Sequence, residues 1–169
     1  MTCFRVARLA FVFTALSLYF GCGGGSSSTP NRPYKGACLV TLSGAATGTM
    51  PCTVAAGYDS TKNQSGLGLV VTPQSVTAQF GIQVQGMLRS GSYSLASVNG
   101  GATVTSGTMT WAFSSNPAMG SLSMTVSDVS NELSANGQTL YKVHGSADAQ
   151  LTAIPPTGAT GTVTMHVKF

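Results

Sequence analysis

The segments "YKVHGSADAQLTA" (141–153) and "GTVTMHVKF" (161–169) flank "IPPTGAT" (154–160). Each segment alternates apolar and polar residues with the period of a strand, and the Pro- and Gly-rich stretch between them must turn. Antiparallel pairing with residue numbers summing to 314 puts Val163 opposite Leu151, Met165 opposite Ala149 and Val167 opposite Ala147. Phe169 then lies over Gly145, a ring covering a glycine, which is a favourable cross-strand arrangement. On the opposite face Asp148 meets His166.

The same alternation runs through the rest of the chain. "ACLVTL" places Cys38, Val40 and Leu42 on one face, and "GLGLVV" places Leu67, Leu69 and Val71 there. "SVTAQFGIQVQG" turns Val76, Ala78, Phe80, Ile82 and Val84 inward and Thr77, Gln79, Gln83 and Gln85 outward. "TMTWAF" groups Met109, Trp111 and Phe113, and "SLSMTV" groups Leu122, Met124 and Val126. Asn99-Gly100 and Asn136-Gly137 read as tight turns, and "SNELSAN" (130–136) as one helical turn at most. About nine or ten such strands imply an all-β fold. The expected form is an antiparallel β-sandwich, immunoglobulin-like or jelly-roll-like, with a small β-barrel as the alternative.

Composition agrees. Only 7% of the 169 residues are charged, while Ser, Thr, Gly, Ala and Val are abundant, as in exported β-proteins with hydroxyl-rich surfaces. Without Arg5 and Arg8 the formal charge falls from +4 to +2. The remaining basic residues are scattered, so nothing points to nucleic acid.

The N-terminal part has a different organisation. "MTCFRVAR" carries Arg5 and Arg8, and "LAFVFTALSLYF" (9–20) is uncharged. A basic start and a 12-residue apolar run make an export signal, too short to span a bilayer, which takes roughly 20 residues. Then comes "GCGGGSSSTP" (21–30). This resembles the signal of exported bacterial lipoproteins, in which the Cys after the apolar run is diacylated and becomes the first residue. In that pattern Leu stands three places before the Cys and a small residue two before; here Leu18 is four before, and Tyr19 and Phe20 intervene.

The resemblance implies a signal over 1–21, lipid on Cys22 and a flexible Gly/Ser tether over 22–34, followed by one β-domain over 35–169. Gly23 replaces the Asp that holds such proteins in the inner membrane. The implied place is therefore the Gram-negative outer membrane, facing the periplasm or the cell surface. The implied partners are the membrane, through Cys22, and envelope proteins or glycans.

Four cysteines sort by position. Cys3 leaves with the signal and Cys22 takes lipid, so Cys38 and Cys52 form an even pair in an oxidising compartment. A structural disulfide is expected.

No stretch specifies a reaction. His144 and His166 are the only histidines and face outward without facing each other, so they make no metal centre. No nucleophile elbow, metalloprotease helix motif or phosphate loop is present, and no cofactor is expected. The expectation is a non-enzymatic binding or structural module. Trp111 reads as core, and Tyr58 and Tyr93, near Gly-rich turns, as the better candidates for exposed contacts, although Tyr93 shares a face with Leu95 and reads first as strand-edge packing. Val163, Met165, Val167 and Phe169 also resemble the last strand of an integral outer-membrane β-barrel, the alternative reading. Finally, "GAATGTM", "GATVTSGTMTW" and "GATGTVTM" begin 57 residues apart at Gly44, Gly101 and Gly158, a spacing that raises the question of duplication.

Overall fold

The computed structural model describes residues 38–71 and 75–169. The signal (1–21), Cys22, the tether (22–34) and residues 35–37 lie outside the described residues. The described chain is all-β and antiparallel, in eleven strands. The N-terminal group is β1 (Cys38–Gly44), β2 (Gly48–Asp59), β3 (Gln64–Val71) and β4 (Val76–Gln85). A short β5 (Gly91–Ser94) and a 3₁₀ turn (Leu95–Ser97) lead to β6 (Asn99–Ser106), β7 (Met109–Ser115) and the two-residue β8 (Ala118–Met119). Two long strands, β9 (Ser121–Ala135) and β10 (Gln138–Ala153), precede β11 (Thr162–Lys168).

All eleven belong to one sheet, ordered β5-β9-β10-β11-β1-β2-β3-β4-β6-β7-β8. β10 makes it ring-like. One edge of β10 pairs first with β2 (Gln138 to Tyr141 against Asp59 to Ala56) and then with β11 (Ser146 to Thr152). Its other edge pairs with β9 and then, at Thr152 and Ala153, with Ala112 and Trp111 of β7. The Ile154 N–H extends this seam by donating to the Thr110 carbonyl at 2.9 Å. Register shifts at Leu140/Tyr141 and His144/Gly145 leave Glu132 and Ser127 of β9 as extra residues opposite β10, bulges of the kind that increase local twist. The closure is not that of a regular barrel, and it accommodates either expected description, sandwich or small barrel.

The register read from the C-terminal segments holds. Leu151 pairs with Val163, Ala149 with Met165, Ala147 with Val167 and Asp148 with His166. Phe169 and Gly145 exchange backbone hydrogen bonds of 2.6 and 2.9 Å. A Cβ on Gly145 would sit 2.9 Å from the Phe169 ring.

The inward faces also fall as the alternation places them. Val40, Leu67, Phe80, Ile82, Trp111, Phe113, Met124, Leu151 and Met165 are all essentially inaccessible. Phe80 and Phe113 meet edge to face with centroids 5.9 Å apart, a geometry favoured by the ring quadrupoles. Met109 is the exception in its group: at the first residue of β7 it is exposed.

Two local expectations need correction. Asn136-Gly137 is indeed a two-residue hairpin loop, with φ of 52° and 77°. Asn99-Gly100 is not a turn but the start of β6, paired with Gln83 and Ile82 of β4. "SNELSAN" holds no helical turn, because residues 130–135 continue β9 and pair with β10 across a bulge. The three glycines spaced by 57 occupy different situations. Gly44 ends β1 at φ 95°, Gly158 lies in the loop before β11, and Gly101 is inside β6.

Cys38 and Cys52 are directly opposed on β1 and β2 and are joined by a disulfide. The bond closes the open end of a hairpin whose turn is Ala45 to Thr47. A loop of this length restricts the unfolded chain by roughly 3 kcal/mol. Cys38→Ala/Cys52→Ala should therefore lower the unfolding free energy by about 3 kcal/mol, read from urea midpoints without reductant. Wild type in dithiothreitol should match the double variant.

Candidate functional site

The outer wall of the ring is the surface available for contact, and its composition follows from the strand period. Thr77, Thr105 and Thr110 are successive cross-strand neighbours on β4, β6 and β7. Two residues along, Thr53, Val70, Gln79 and Thr103 form a second row across β2, β3, β4 and β6. Beside it, Ala55, Gly68, Gly81 and Gly101 line up across the same four strands, with Gly68 and Gly101 buried. There the backbone carries nothing larger than a methyl group. The exposed large apolar side chains on the strands are Leu39, Val70, Met109 and Leu133, scattered over β1, β3, β7 and β9.

Both histidines face outward, each opposite an aspartate. His166 Nδ1 lies 2.7 Å from Asp148 Oδ1, with both side chains more than half exposed. His144 is the register partner of Asp128 on β9, and its carbonyl accepts a 3.1 Å hydrogen bond from Ser127 Oγ. The two histidines do not converge. Among the described residues no three His, Cys, Asp or Glu side chains are grouped to hold a metal. An exposed pair such as His166–Asp148 is held in high dielectric and contributes little. Asp148→Ala is expected to change stability by less than about 1 kcal/mol, measured by thermal unfolding near neutral pH.

The tyrosines singled out from sequence are engaged within the fold. Tyr58 donates to Asn63 Oδ1 at 3.0 Å. Tyr93 donates to the Arg89 carbonyl at 2.8 Å and accepts from the Arg89 N–H at 3.1 Å. Trp111 is buried as expected, but its Nε1–H has a partner that alternation does not reveal, the Thr160 carbonyl at 3.1 Å. That bond ties the 154–161 loop down across the strand ends.

Sequence reasoning missed two polar clusters. Ser65, fully buried, donates to the Gly86 carbonyl and accepts from the Leu88 N–H, both at 2.8 Å. This pins the loop after β4 onto β3. Burial pushes the Tyr141 phenol up, opposed by its hydrogen bond with Ser65.

Asp59, buried at the end of β2, forms the second cluster. It accepts from the Thr61 hydroxyl at 2.6 Å, the Thr61 N–H at 2.9 Å and the Lys62 N–H at 3.3 Å. Lys62 Nζ lies 3.6 Å away. These contacts, led by the Thr61 hydroxyl, hold the carboxyl below the usual range against the opposing effect of burial. A depressed folded-state pKa stabilises above the unfolded value near 4, and that stability is lost as pH falls through the folded value. Urea midpoints should therefore drop on acidification below about pH 4. Asp59→Asn should flatten part of that slope. The only sequence signal for this cluster is Asp followed by Ser-Thr-Lys-Asn, an ordinary turn composition.

Comparison with protein-family models, with curated proteins and with solved structures finds no match to this chain. The wall, the two His–Asp pairs and the disulfide are thus the features from which a functional reading must be built.

Proposed function

We propose that this is a non-enzymatic envelope lipoprotein, anchored through lipid on Cys22 and presenting its β-domain as a binding or structural module. The observation that carries the reading is the polarity of the ring. Its inward side chains are mainly Leu, Val, Met, Phe and Trp. Its wall is mainly Thr, Gln, Ser and Gly, with the His–Asp pairs and a few scattered apolar residues such as Leu39 and Val70. A membrane-spanning barrel reverses this order, with an apolar band outside. The alternative of an integral outer-membrane barrel is therefore disfavoured, and a domain standing in water beside its membrane is supported.

The N-terminal sequence supports the same reading: an export signal, then Cys22, then glycines and serines with no capacity to build a core. A nearly uncharged wall of hydroxyl and amide groups suits contact with glycans or with envelope proteins of similar polarity.

The test is an intact mass of the protein purified from bacterial membranes, with and without reduction. A chain beginning at Cys22 with a diacylglycerol adduct, gaining two hydrogens on reduction, is the expected result. An unmodified chain cut elsewhere would end the lipoprotein reading.

A further inference from the structure

We propose that the Cys38–Cys52 disulfide is a force-transmitting junction, passing tension from the N-terminal segment directly into β2 and sparing β1. The proposal rests on the reading that the chain is held at Cys22. Sixteen positions further on, Cys38 is the first residue of β1, so any pull between anchor and domain enters the sheet there.

The register determines what such a pull meets. Without the disulfide it acts on the end of a strand. β1 would leave β2 and β11 one rung at a time, from Leu39 towards Gly44, and each rung alone is a weak barrier.

With the disulfide, tension crosses from Cys38 to Cys52, the fifth of the twelve residues of β2. Cys52 is also the register partner of Val71 on β3. From that point β2 runs on to Asp59, paired with β3 on one edge and, from Ala56, with β10 on the other. A pull on an interior residue must open rungs in both directions together. Both β1 and β2 belong to the ring, but β2 is held in addition by β10, so displacing it opens β3 and β10 together.

Optical-tweezers pulling on the unacylated chain tests this, with one handle on the N-terminal segment and the other inserted in the exposed Asn136-Gly137 turn. The oxidised molecule should stay at constant length until one cooperative rip. The same folded molecule reduced in place by a dithiol should first lengthen at low force as β1 peels, freeing about 24 Å of contour, the span of the seven β1 residues at ~3.4 Å each. It should then rip at no more than about half the oxidised force. Cys38→Ala/Cys52→Ala should behave as the reduced molecule does. Equal rip forces in the two redox states, or the early lengthening in the oxidised one, would overturn the proposal. Because the chain carries no lipid in this experiment, the result is independent of the mass measurement on Cys22.

Discussion

Alanine in place of Trp111 is expected to lower the unfolding free energy by about 3–5 kcal/mol, the range for large-to-small aromatic changes in a packed core. Trp111 is 1% exposed and sits where the ring closes, opposite Val104 on β6 and Ala153 on β10. Removing the indole leaves a cavity at that seam. It also deprives the Thr160 carbonyl of its donor, so the 154–161 loop loses its tie as well. Trp111→Phe separates the two effects: most of the apolar volume stays and the N–H goes, for an expected cost of about 1–2 kcal/mol. Urea unfolding of oxidised protein, followed by far-ultraviolet circular dichroism, measures both. A loss below about 1 kcal/mol for Trp111→Ala would mean that the seam is not where the described register puts it.

Gly100→Ala should be as damaging, for a different reason. Gly100 has φ 147°, and a Cβ there would run into the Gly81 carbonyl and sit 2.8 Å from Ile82 Cα. The obstacle is backbone of the neighbouring β4, which has no rotamer to move out of the way. Left-handed strain and overpacking together are expected to cost about 3 kcal/mol or more, or to prevent folding. Gly107→Ala is the control. Its φ is 58°, but nothing lies within 4 Å of the added methyl, so only the backbone cost of about 1 kcal/mol applies. Equal effects at the two positions would contradict the close β4–β6 approach. Soluble yield and urea midpoints of both variants decide the matter.

Gly100 also shows where sequence reading stops. Asn-Gly is the strongest local signal for a two-residue hairpin, and at Asn136-Gly137 that is what forms. At Asn99-Gly100 the same dipeptide is strand, because the glycine answers a steric demand from β4 some twenty residues earlier. Local chemistry is identical in the two places, and only the tertiary neighbour differs. Residues 130–135 were illegible for a similar reason: their pairing with β10 overrides a polar composition with little strand preference.

What was legible rests on alternation. One face apolar and one polar excludes a one-residue slip of 141–153 against 161–169, and placing the Phe169 ring over Gly145 selects among the registers left. The disulfide was legible from the cysteine count and the expectation of export. Ring closure was not, because β10 meets β7 through only two residue pairs, too few to leave a pattern. The polar clusters at Ser65 and Asp59 were equally hidden, since their partners are backbone groups brought together by the fold.

The placement of β10 sets a timetable for the molecule. β1 has one flank covered by β2, its neighbour in sequence, while the other waits for β11, the last strand of the chain. β10, which joins the two halves, ends only at Ala153. A chain emerging from the ribosome therefore cannot complete its ring until β10 and β11 have been made. Contacts so distant in sequence form slowly. On the proposed reading of an exported chain, late closure acts as a safeguard, because the topology itself postpones folding until β10 and β11 are present.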